Sequence, residues 1–164
     1  MDKTYNRMSN GYGYGWAGMP PDSFQSTMLA AGKIIQRLKK KLDFDAVAFS
    51  GSSGCAIAFY VAAKYRTPLI YVRKVGENAH GSKVECNYQG DIRKYLIVDD
   101  FVSSGATVRH IRDTIKKHAI KSRTECPTPV GIFAYDPSAN AYDAGEKLND
   151  LRIYNMDYGK KIVD

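Results

Sequence analysis

The sequence predicts an α/β domain: a central, mainly parallel sheet with helices on both faces. Through the middle of the chain, short apolar runs alternate with helix-patterned ones, the order expected of parallel strands joined by helical crossovers. The strand candidates "AVAF" and "YLIV" are apolar throughout, as strands covered on both faces are. Each of these two runs into a turn rich in Gly and Ser, placed where open α/β sheets bind ligands.

The elements follow in order. Residues 5–22 are rich in Gly and Tyr and end in "MPPD", which predicts irregular structure with a helix starting near Ser23. From Phe24 to Leu42 the apolar stripe Met28, Leu29, Ile34, Ile35, Leu38 and Leu42 has helical spacing. The run "RLKKKL" closes that helix, where cations favour its macrodipole. The strand in "DAVAFSGSSG" then precedes the buried helix "GCAIAFYVAAKY" and the strand "PLIYVRK". Val75 to Gly90 is polar, without a clear period, and carries three glycines, which suits a long functional loop. The strand "KYLIVDD" leads through a loop to a helix with Val108, Ile111 and Ile115 on one face. "TPVGIFAYD" and "LRIYNMD" read as two further strands. No repeat or linker divides the 164 residues, so a single domain spans 1–164.

Composition excludes several classes. With 44% hydrophobic and 25% charged residues the chain is globular rather than disordered. Its longest apolar run, "AIAFYVAA", is far below the roughly 20 residues of a membrane span, so no membrane partner is expected. The N-terminus lacks the apolar core of a signal peptide. Cys55, Cys86 and Cys126 are odd in number and have no metal-ligand spacing, which points to thiols in a reducing cytoplasm. The net charge of +7 suits an anionic partner. The basic residues are scattered, and no helix-turn-helix, RNA-binding aromatic motif or zinc module accompanies them, which argues against nucleic acid and for a phosphorylated small molecule.

The chemistry concentrates in "YLIVDDFVSSGATV". Successive strand side chains point to opposite faces, so Asp99 and Asp100 cannot both decorate one solvated face. A helix N-terminus just beyond them offers unpaired amides and a positive dipole end to a phosphate. Ser103, Ser104 and Thr107 add hydroxyls, while Gly105 and Ala106 let the backbone approach closely. The aspartates can accept hydrogen bonds from a sugar diol. A plain helix cap needs one such residue rather than five. A phosphorylated ribose fits the set.

This stretch resembles the ribose-5-phosphate signature of the type I phosphoribosyltransferases, which use phosphoribosyl pyrophosphate (PRPP); Phe101 departs from it where an aliphatic residue is usual. The resemblance implies that fold, with a core at about 24–135 and a small base-binding hood built from about 1–23 and 136–164. It implies that Asp99 and Asp100 hold the ribose 2′- and 3′-hydroxyls and reach Mg²⁺ through water, and that Ser103, Ser104, Gly105, Ala106 and Thr107 cradle the 5-phosphate. "FSGSSG" is similar to the family's pyrophosphate loop, which often holds a non-proline cis peptide; this assigns Ser50, Gly51, Ser52, Ser53 and Gly54 to PRPP. "YVRK" followed by "AHG" resembles the entry to the catalytic loop of the orotate and some purine enzymes. Arg73 would then face the pyrophosphate with Lys74 assisting, and His80 would sit in a lid over Val75 to Gly90. Between "RK" and the histidine the orotate enzymes carry a catalytic lysine that this chain lacks, and Lys83 is the substitute within reach. Trp16 and Tyr135 are aromatic candidates for the base. The implied activity is Mg²⁺-dependent transfer of ribose 5-phosphate from PRPP to a nucleobase, in a cytoplasmic homodimer. Two other readings stand beside it: a PRPP-sensing regulator of the same fold that binds nucleic acid, and a phosphoacceptor-aspartate carrier, which leaves "SSGAT" unexplained.

Overall fold

In the computed structural model the described residues are 15–77, 81–136 and 145–160. They form a seven-stranded sheet and three α-helices: α1 (Pro21–Leu42), β1 (Ala46–Ser50), α2 (Gly51–Tyr65), β2 (Leu69–Val72), β3 (Val84–Cys86), β4 (Lys94–Asp99), α3 (Ala106–Ser122), β5 (Thr128–Ala134), β6 (Lys147–Leu148) and β7 (Leu151–Asn155). The strand order is β3-β2-β1-β4-β5-β7-β6. The five inner strands pair in parallel, and the two edge strands are antiparallel. The α/β reading therefore holds. No helix among the described residues is long and apolar enough to cross a membrane.

Helix α1 begins at Pro21, ahead of the expected Ser23, because proline's fixed φ suits the first helical turn, where its missing N–H is no loss. The Phe24 amide donates to the Pro20 carbonyl at 2.8 Å. The helix closes on three lysines, and Asp43 takes a left-handed φ of 53° while its amide returns to the Lys39 carbonyl. Val75 to Gly90 is not one irregular segment. Within it Val84–Cys86 pairs antiparallel with β2, in a run too short and too exposed to show a period.

Strand alternation splits the core into two layers. Val47, Phe49, Leu96, Val98 and Phe133 meet Ile35, Leu38 and Ile57 from α1 and α2. Ala48, Ile97, Ile132 and Ile153 meet Val108, Ile111 and Ile115 from α3. The chain moves outward from β1 to β2 and β3, then returns to lay β4 on the other side of β1. The carboxyl ends of β1 and β4 thus flank a switch point, where such sheets open a crevice.

Two close approaches shape that crevice. A Cβ on Gly54, in the first turn of α2, would run into the Val98 carbonyl oxygen and come within 2.8 Å of the Phe49 Cβ. Only a bare backbone lets α2 sit this tightly on the end of β4. Gly54→Ala should cost about 1–3 kcal/mol, the range for overpacking a rigid site. Urea unfolding measures this, and a loss below about 0.5 kcal/mol, the scale of neutral surface changes, would contradict the contact.

Candidate active site

Three strand ends supply the site. Ser50 ends β1, is buried, and stands at the N-cap of α2. Gly51 follows with φ +64°, and Ser52, Ser53 and Gly54 complete the first turn of α2. All peptide bonds of the described residues are trans, including this loop. Asp99 ends β4, and α3 begins after Gly105, which has φ +73° and lies against Leu148 of β6. The amides at the start of each helix have no intrahelical partner, so two positive dipole ends border one crevice. A cleft of about 230 Å³ lies here, lined by Ser53, the two aspartates and the loop 101–108.

Asp99 continues the row of Tyr95 and Ile97 toward the α3 side and is only 5% exposed. Its Oδ1 accepts the Asp100 amide at 3.0 Å, and the Asp100 carboxylate accepts the Phe101 amide at 2.8 Å. Burial, and then the neighbouring Asp100 charge, push the Asp99 carboxyl up to about 7, with the Asp100 amide and Lys74 pulling the other way. The two carboxylates invite a cation. Among the described residues no group of three His, Cys, Asp or Glu could hold a metal. Two carboxylates fit Mg²⁺, which keeps several waters and takes its remaining oxygens from a phosphorylated ligand.

The sign of the pH effect follows. A raised native pKa means the folded state binds more protons than the unfolded one between about pH 4 and 7, so stability falls as pH rises through that window. One unit is worth about 1.4 kcal/mol, so the step from 3.8 to about 7 bounds the effect at about 4 kcal/mol. Asp99→Asn keeps the acceptor for the Asp100 amide and removes the charge. It should melt like the parent near pH 4 and at least several degrees higher at pH 8. Equal melting temperatures at pH 8 would show that Asp99 carries no buried charge.

Past β2, the structure separates the two adjacent basic residues. The Arg73 guanidinium donates from Nε to Glu85 of β3 at 2.8 Å, lies over the Tyr71 ring, and is held more strongly protonated by the Glu85 hydrogen bond. The Lys74 side chain crosses the Gly51 backbone, filling the space a Cβ there would need. Lys74 therefore meets the α2 turn and is electrostatically coupled to Asp99. Lys83 is exposed and lines a groove beside α3. His80 lies outside the described residues, as do 1–14, 137–144 and 161–164 of the expected hood. Ser103 and Ser104 are exposed, and Ser104 Oγ accepts the Ala106 amide at 3.4 Å. Thr107 is partly buried and lines the cleft.

Trp16 is 43% exposed, leaving a face for a flat ligand. Tyr135 leaves none. It is 1% exposed, and its hydroxyl donates to the Ser53 carbonyl at 2.8 Å and accepts the Trp16 amide. Tyr135 is a brace that ties the segment before α1 to the α2 turn. Sequence reasoning missed this role, since nothing in "FAYD" tells a buried hydroxyl from an exposed ring.

Comparison with known proteins agrees with this fold. No protein-family model matches the chain. An orotate phosphoribosyltransferase of Coxiella burnetii is 28% identical over 123 residues, which is 73% of this chain and 56% of that protein. The chain thus spans just over half the length of the curated relative it matches. The crystal structure of orotate phosphoribosyltransferase from Aeropyrum pernix superposes with a TM-score of 0.59 at 18% identity, over 84% of this chain and 72% of that one. Adenine phosphoribosyltransferase from Thermoanaerobacter pseudethanolicus gives 0.55 at 14% identity, over 79% and 78%. The chain has the type I phosphoribosyltransferase fold.

Proposed function

We propose that this chain is a phosphoribosyltransferase that moves ribose 5-phosphate from PRPP to a nucleobase and releases pyrophosphate. One observation carries the reading: two helix N-termini and Lys74 surround a pair of carboxylates at the switch point of the sheet. That arrangement matches a ligand with an anion at each end and a diol between. The 5-phosphate belongs on the α3 turn with the Ser103, Ser104 and Thr107 hydroxyls, and the pyrophosphate on the α2 turn with Lys74. The ribose hydroxyls donate to Asp99 and Asp100.

In the reaction the bond from ribose C1 to the pyrophosphate oxygen breaks, and its electron pair leaves with pyrophosphate. A base nitrogen supplies the new pair and gives up its proton to solvent, and positive charge builds on the ring in between, as in glycoside hydrolysis. The buried Asp99 and half-buried Asp100 carboxylates lie close to that charge and stabilise it more than water would. Lys74 and the α2 amides take up the growing negative charge of the leaving group. Mg²⁺ held through water by Asp99 and Asp100 would neutralise pyrophosphate further. A homodimer belongs to the same reading, and the exposed Phe59 ring of α2 offers it apolar surface.

Pyrophosphate release from PRPP and Mg²⁺, assayed against purine and pyrimidine bases, tests the proposal. Release that depends on one base is expected, since likeness to both orotate and adenine enzymes leaves the base open. PRPP binding without release for any base would assign a PRPP-sensing protein instead.

A further inference from the structure

A groove of about 720 Å³ runs between α3 and residues 81–84, with Val75 at its edge. Its volume is that of a small-molecule pocket. His110, Thr114, Lys117, His118 and Lys121 line it at helical spacing, so one stripe of α3 forms its floor, and Lys83 faces them from the start of the hairpin. Among the described residues no lining residue is acidic. Among the described residues Lys83, Lys117 and Lys121 make no ion pair. Three unpaired ammonium groups around one groove repel one another, and an anion between them relieves that.

We infer that this groove binds a phosphate-bearing small molecule of nucleotide size, and that its occupancy reaches Lys74 through His110. A stacked oligonucleotide calls for a row of aromatic platforms, whereas the described lining offers two imidazoles, enough for a single base. The link to Lys74 is direct. His110 Nε2 lies 2.8 Å from the Arg73 carbonyl oxygen, so its N–H holds the backbone one residue before Lys74. Ser82 Oγ and His118 Nδ1, 3.4 Å apart, bridge the hairpin to α3 further along the groove. The groove stands apart from the PRPP reading, and the coupling alone rests on it.

The test uses ADP as probe and the imidazole NMR signals of His118 as readout, in full-length Ser104→Asp protein so that the cleft is closed to phosphate. A saturable shift is expected, lost in the Lys117→Gln/Lys121→Gln variant, whose exposed substitutions should leave the melting temperature unchanged. A shift that does not saturate, that KCl reproduces at equal ionic strength, or that survives the double substitution overturns the site. So does a single-stranded oligonucleotide moving the signals where ADP does not. In the parent, ADP should change kcat/KM for PRPP by a component that the double variant and His110→Ala both lose. Failure of that arm with the binding arm intact overturns the coupling alone.

Discussion

Ser104→Asp is expected to fold as the parent does and to bind PRPP about a thousandfold more weakly. Ser104 is exposed and its Oγ accepts the Ala106 amide, so an aspartate there preserves the one local hydrogen bond and adds a charge that suits a helix N-terminus. If capping were its whole role, the change would be neutral or slightly stabilising. A 5-phosphate on the same turn meets the new carboxylate within a few Å. Like charges about 4 Å apart cost roughly 4 kcal/mol at an effective dielectric near 20. The melting temperature and a PRPP titration together separate the two roles. Parent-like affinity would remove the phosphate from this turn.

Lys74→Met should lower kcat/KM about 10²- to 10³-fold, the size of losing one donor aimed at transition-state charge. Methionine keeps an unbranched stem across Gly51 and removes only the ammonium, so stability should hold. Arg73→Gln makes the informative contrast. Its fork is engaged by Glu85 at the edge of the sheet, and a solvent-screened pair of this kind contributes little. Its removal should therefore cost less activity than that of Lys74. Kinetics on both variants check the order, and Arg73 proving the more damaging would contradict the placement of Lys74.

The parallel core was readable from sequence because its signals are local. "AVAF", "LIYV" and "YLIV" are apolar without interruption, and a strand needs nothing more to be recognised when both its faces are covered. The turn at Asp99 to Thr107 was readable because each residue there has a chemical reason. What escaped depends on partners far away in the chain. Strand β3 is three residues of "VEC" whose order comes from pairing with β2. Strand β6 has two residues, and Leu148 matters because it packs on Gly105. Arg73 and Lys74 are adjacent and of like charge, so the sequence cannot say which is held by Glu85 and which crosses Gly51. Tyr135 looks like a ring for a base and is a buried brace 82 residues from its acceptor at Ser53.

Calorimetric titration of the parent protein with PRPP in Mg²⁺ tests the central claim most directly. A saturable isotherm with one site per chain is predicted, with a dissociation constant in the micromolar range and no detectable heat from Ser104→Asp under the same conditions. Absence of binding up to millimolar PRPP, or an isotherm that Ser104→Asp leaves unchanged, would contradict the assignment of the switch-point cleft to PRPP.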